Sequence, residues 1–127
     1  MNALIDTALL IDYLSGEPRA AAALDGCKHR SISVLTWLEV MTRCPPSLQE
    51  ATRAFLRSFE RLSISEAIAD EALKLASEHV GLGQSRALTW ATATINQLVF
   101  VTSEPIAGVP VGRNVAVPYI GEPVLTV

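Results

Sequence analysis

The stretch SRALTWATATINQLVFVTSEP, residues 85–105, decides the reading of this chain. RALTWATATIN, rich in alanine and threonine, reads as a helix. LVFVT is an unbroken apolar run, the pattern of a strand buried on both faces. A helix feeding such a strand is half of a β–α–β unit and calls for a parallel sheet. Open parallel sheets keep their ligands beyond the carboxyl ends of their strands. Thr102, Ser103 and Glu104 fall at that place. The helix before them opens with a cation, Arg86, and what that cation does beside an acidic strand end is the question the sequence raises.

Working outward, the same alternation repeats. ALID (3–6) is a short strand ending in an acid, and TALLIDYLSG is a helix closed by Gly16 and Pro18. EPRAAAALDG is a second short helix, RSIS a strand, and VLTWLEVMTR a helix stopped by the prolines of CPP. SLQEATRAFLRSF carries Ser47 and Glu50 at the spacing of a capping box. ERLSI reads as a strand. SEAIADEALKLASEH reads as an amphipathic helix capped by Ser65, with Ile68, Ala72, Leu75 and Ala76 as its buried stripe. VGLGQS is a glycine-rich joint, SEPIAGVPVGR a loop, and NVAVPYI a final edge strand stopped by Pro118. The sum is one domain, residues 1–127, of α/β class: a three-layer α/β/α sandwich on a mostly parallel sheet of four or five strands.

Composition narrows the function classes. The chain has 127 residues, is 50% hydrophobic and 18% charged, and carries a net charge of -3. Disorder is excluded by that balance. Bulk charge gives no reason to expect non-specific binding to a polyanion, which a basic chain would favour. Cys27 and Cys44 lack metal-ligand spacing and read as free thiols of a reducing, cytoplasmic compartment. No stretch is long and apolar enough to span a membrane, and Asp6 and Asp12 interrupt the N-terminus where a signal peptide would be apolar.

Three acids have places near the strand ends. Asp6 closes the first strand, Glu39 lies early in the helix after the second, and Glu104 follows the fourth. Glu39 is set among Leu35, Leu38 and Val40, and an unpaired carboxylate in apolar surroundings is expensive. A hard cation such as Mg²⁺ would relieve that cost, since it takes oxygen ligands. Ordinary readings stand beside this one. Asp6 can simply cap the next helix. Glu39 can pair with Arg43 four residues on, and Glu104 can be a loop acid. His29 and His79, near element ends among charges, read as structural.

Taken in order, ALIDTALLIDYLSG, SISVLTWLEVMTR, ATATINQLVFVTSE and GVPVGRNVAVPYI resemble the successive motifs of PIN domains, above all the VapC-type ribonuclease toxins of toxin–antitoxin pairs. The resemblance spans nearly the whole chain. It implies an α/β/α fold, an RNA substrate whose phosphodiester bonds are hydrolysed, Mg²⁺ or Mn²⁺ as cofactor, a small antitoxin protein as partner, and a homodimer. It places the metal-holding and catalytic acids at Asp6, Glu39 and Glu104, with Thr7, Thr102 and Ser103 as supporting hydroxyls. Trp37, Trp90 and the helix from Ser65 are the interface candidates. The sequence departs from the family conservatively at Glu104, where the family has Asp or Asn, and by charge reversal at Arg86, which stands where the family has an Asp.

That departure opens two functions: a metal-dependent endoribonuclease, or a catalytically inactive PIN-like protein that binds RNA or a protein partner. For a divalent ion ~5 Å away at an effective dielectric of about 20, exchanging Asp for Arg moves the Coulomb energy by roughly 10 kcal/mol against metal, before solvent screening. Arg86 can pair with the acids, or hold a substrate phosphate bidentately. The expectation is that it points into the acidic pocket and pairs with at least one of Asp6, Glu39 and Glu104, since one guanidinium can satisfy several oxygens.

Overall fold

The computed structural model describes residues 1–110 and 114–121. Strands β1 (Asn2–Ile5), β2 (His29–Ser33), β3 (Glu60–Leu62), β4 (Val99–Val101) and β5 (Val115–Ala116) form one sheet in the order β3-β2-β1-β4-β5. All four pairings are parallel. Helices α1 (Thr7–Leu14), α2 (Pro18–Asp25), α3 (Val34–Arg43), α4 (Gln49–Leu56), α5 (Glu66–Glu78) and α6 (Gln84–Ile95) connect the strands. Among the described residues no helix is long and apolar enough to cross a membrane.

Side-chain alternation divides the core into two. Ala3, Ile5, Ile32 and Val101 point to one face, where they meet Leu9, Leu10, Leu24, Val40 and Leu56 from the first four helices. Leu4, Phe100 and Val115 point to the other, against Ile68, Leu75, Ala87 and Ala91 of α5 and α6. The continuous apolar runs of β1 and β4 follow from this, since each strand is covered on both faces. The expected three-layer α/β/α sandwich is therefore the observed fold, with five parallel strands.

Chain order also locates the site. From β1 the sheet grows through β2 to β3 on one side, then returns to add β4 on the other side of β1. The connections leaving β1 and β4 thus part at their carboxyl ends, which opens a crevice there. Asp6, following β1, and Thr102, following β4, face it across adjacent strands.

Several local expectations change. Ser47 and Glu50 form no capping box: α4 begins at Gln49, its N-cap is Leu48, and no side chain caps it. Pro46 starts a 3-10 turn over Pro46–Leu48, which places Ser47 inside a turn instead of at a helix entrance. Ser65 does cap α5, its hydroxyl accepting from the Ile68 amide at 3.2 Å. Ile68, Ala72 and Leu75 are buried, but Ala76 is exposed. It lies about 80° around the helix from Ile68, off the narrow arc that touches α6. The last strand is two residues long, and residues 111–113 of the predicted loop and 122–127 of the predicted domain lie outside the described residues.

Trp90 is only 6% exposed, held in the α5–α6 core with its ring 5.2 Å from that of His79. Buried in the cluster that α5 and α6 build against the sheet, it is not available as an interface group. Trp37 is half-buried beneath the guanidinium groups of Arg53 and Arg61.

Candidate functional site

Asp6 occupies two roles at once. It is the N-cap of α1, where its Oδ1 accepts from the Thr7 amide at 2.8 Å, and it is 3% exposed at the crevice. Its second oxygen, Oδ2, accepts from the Thr102 hydroxyl at 2.6 Å and from Arg86 Nη2 at 3.3 Å. The cap and the charged-site readings of Asp6 are therefore not rivals: one oxygen serves each.

Thr102 is the hub. A hydroxyl carries one donor and two acceptor positions. Thr102 donates its proton to Asp6 and accepts from Arg86 Nη2 and from the Glu104 amide, both at 3.0 Å. Thr102 is fully buried, so this saturation is what makes its burial affordable. Arg86 enters from the first turn of α6, with Gly83 supplying the positive φ of 84° at the N-cap. Besides Asp6 and Thr102, its Nη2 donates to the Glu104 carbonyl at 2.7 Å. Its Nε lies 4.0 Å from Glu104 Oε2 and is buried without a hydrogen-bond partner among the described residues. Arg86 points into the acids and pairs with Asp6, as expected from charge accounting.

Glu39 joins the group through Thr7. The Thr7 hydroxyl lies 2.9 Å from Glu39 Oε1 and 3.0 Å from Thr36 Oγ1. Ser33 caps α3 by accepting from the Thr36 amide at 3.0 Å and sits 3.3 Å from the Thr36 hydroxyl. Glu39 thus reaches across 32 positions to Thr7. Among the described residues it makes no ion pair with Arg43. Thr36 and Ser33 are site-supporting residues that the sequence reading did not single out. Their S-x-x-T spacing at a helix entrance was the available signal.

Asp6, Thr7, Ala8, Glu39, Arg43, Ser85, Arg86, Thr89 and Glu104 line one open cleft of about 130 Å³. Ser103 turns away from it. Its Oγ would lie 3.0 Å from a Cβ placed on Gly121, and its carbonyl accepts from the Gly121 amide at 2.9 Å. Beside it the Tyr119 hydroxyl donates to Asp12 Oδ2 at 2.6 Å. Burial, with the hydrogen bond to Asp12, pushes the Tyr119 phenol well above its usual range. The strand end therefore splits: Thr102 serves the acids, and Ser103 fastens the returning segment 119–121. Among the described residues, no group of three His, Cys, Asp or Glu side chains is placed to hold a metal ion.

A five-stranded parallel sheet between helical layers, with acids at its switch point, defines a PIN-like domain. Among solved structures the chain is similar to the toxin–antitoxin complex from Klebsiella pneumoniae, at 35% sequence identity over 93% of this chain and 98% of that one, with a TM-score of 0.84. It is also similar to FitAcB from Neisseria gonorrhoeae, at 19% identity over 80% of this chain and 87% of that one, with a TM-score of 0.68. DNA-bound VapBC from Salmonella typhimurium matches at 20% identity over 86% and 95%, with a TM-score of 0.69. At those lower identities the likeness is one of fold. A scan against protein-family models and a search of curated proteins both give no match. The chain belongs to the PIN-domain toxin family of toxin–antitoxin systems.

Proposed function

We propose that this chain works by binding a protein partner of the antitoxin kind, and that its acid site is closed by its own Arg86 instead of by a divalent ion. The observation that carries the reading is the Arg86 Nη2 group, whose two protons are shared among Asp6, Thr102 and the Glu104 carbonyl. Mg²⁺ and Mn²⁺ need free oxygen ligands in close, regular geometry. Both oxygens of Asp6 already accept hydrogen bonds, and a guanidinium stands 3.3 Å from the one that faces the cleft. The residues present suit a site satisfied internally.

Partner binding is supported by the surface next to the site. Ile11, Leu14, Val40, Arg43, Pro45 and Leu48 line an apolar cleft of about 230 Å³. Leu14 and Leu48 remain 44% and 54% exposed. Arg43 borders both this cleft and the acid site, so the two form one run. A partner segment would lay apolar side chains between α1 and α3 and extend a polar end toward Glu39. The likeness to a toxin–antitoxin complex at 35% identity supports a partner of that kind.

One observation favours a second reading, the metal-dependent ribonuclease: Asp6, Glu39 and Glu104 do line the same cleft. Calorimetry with Mn²⁺ separates the two. The wild-type chain is expected to give no binding heat, and Arg86→Asp to bind Mn²⁺. Micromolar binding by the wild type, with metal-dependent RNA cleavage, would overturn the proposal.

A further inference from the structure

At the edge of the sheet away from the acids, arginines converge without carboxylate partners among the described residues. Arg53 and Arg57 sit four residues apart at the end of α4, and Arg61 lies on β3. With Trp37, Leu56 and Phe59 they line a cleft of about 340 Å³. The Arg61 guanidinium stands 4.7 Å from the Trp37 ring centroid and that of Arg53 5.8 Å. Arg30 stands over Phe59 at 5.2 Å. Among the described residues none of these four arginines is paired with a carboxylate, in a chain whose net charge is -3. Like charges gathered this way repel one another and offer forks for an anion.

Next to them lies an open strand edge. β3 pairs with β2 on one side only, its backbone makes no other backbone hydrogen bond among the described residues, and Glu60 and Arg61 are exposed. From the structure we infer that this edge and its arginine cleft are a docking site for an extended acidic peptide segment, which adds as a strand beside β3. Three observations favour a peptide over a nucleic acid. The unpaired backbone groups of β3 suit strand addition. Phe59 is 5% exposed and Trp37 is half-buried with two guanidinium groups over its ring, so little ring face is offered for base stacking. The net negative charge opposes a long polyanion but not a short one.

The pleat specifies the ligand further. Phe59 belongs to the core beneath α3 and α4, whereas Leu62 packs against the α5–α6 core. Arg61 shares the Phe59 side, and Glu60 faces the other way, where its Oε2 meets His29 Nε2 at 2.6 Å. An added strand would send every second side chain over the arginines and the others toward the His29–Glu60 pair. The preferred segment carries acids at alternate positions with uncharged residues between them. This site uses no residue of the acid cleft, so it stands or falls apart from the role of Arg86.

The test uses the whole chain and three probes: an eight-residue peptide alternating Glu and Thr, a peptide of the same composition with its glutamates in one block, and an eight-nucleotide oligouridylate. Binding is read from the fluorescence of a Trp90→Phe chain, in which Trp37 is the sole tryptophan, and from amide hydrogen exchange at Glu60–Leu62 of the wild type. The alternating peptide is expected to bind at least about tenfold tighter than the blocked one and to slow exchange along β3. Arg57→Glu, at an exposed position, should weaken it by about tenfold while circular dichroism stays unchanged. Equal affinity for the two peptides would reduce the cleft to charge alone and overturn the proposal. So would tighter binding of oligouridylate, unchanged exchange on β3, or no binding at about 1 mM peptide. Tighter oligouridylate binding would make the cleft a nucleic-acid site, and no binding of either kind would leave the arginines as guards that keep the strand edge from pairing.

Discussion

Arginine does opposite things in two regions of this molecule. At the switch point, Arg86 is mostly buried, with 22% of its side chain exposed, and its Nη2 meets three oxygen acceptors. At the β3 edge, Arg53, Arg57 and Arg61 are exposed and lack carboxylate partners among the described residues. The difference follows from what each would leave behind. A buried carboxylate such as Asp6 needs a compensating charge or donors. An exposed guanidinium is already satisfied by water, so it remains available to a visitor. The first region contributes to stability, and the second is the one proposed for recognition.

The sharpest way to break this contrast is Arg86→Met, which keeps length and removes charge. Asp6 would stay buried with only the Thr7 amide and the Thr102 hydroxyl as donors. Removing one member of a buried pair costs about 3 kcal/mol. A urea melt in EDTA should show that loss, and added Mn²⁺ should restore part of it by taking the vacated place. An unchanged midpoint would mean that Arg86 is not the group that holds the site together.

Thr102→Val should act in the same direction with a smaller effect. The isosteric change strips one hydroxyl that donates to Asp6 and accepts from Arg86 and the Glu104 amide. Arg86 still reaches Asp6 in the variant, so the expected loss is about 2 kcal/mol, mainly from the orphaned Glu104 amide and the weakened Asp6 oxygen. Chemical denaturation checks it. If Thr102→Val cost more than Arg86→Met, the hydroxyl and not the guanidinium would be the keystone of the acid site.

How much of this was legible in the sequence depended on how local the cause was. LVFVT announced a doubly covered strand because its apolar run needs both layers. Ser65 announced its cap because capping needs only three residues of chain. Ser47 misled because two prolines reset the backbone just before it. For Glu39, the local i,i+4 partner Arg43 lost to Thr7, which only strand adjacency brings near. Arg86 could be placed from the order of motifs along the chain, although its bond to the Glu104 carbonyl depends on how the loop turns. Of the arginine cleft the sequence reading reached only Trp37, as an interface candidate, and none of the arginines. Its members come from separate elements, and the whole-chain charge of -3 conceals them.

The smallest expected effect is the most discriminating. Arg57 is the C-cap residue of α4, so its cation is favourably placed for the helix dipole, by roughly 0.3–1 kcal/mol. Against that, it shares a cleft with Arg53 and Arg61, and their mutual repulsion is of similar size at low salt. Arg57→Ala removes both contributions together. Its net change in stability should stay within about 0.5 kcal/mol, the range of an ordinary surface substitution. Urea midpoints of the variant and the wild type should therefore nearly coincide, even as affinity for an acidic peptide falls. A loss greater than about 1 kcal/mol would mean that Arg57 supports the α4–β3 junction from within. The two arginine regions would then differ only in degree, and the cleft at the sheet edge would be scaffold.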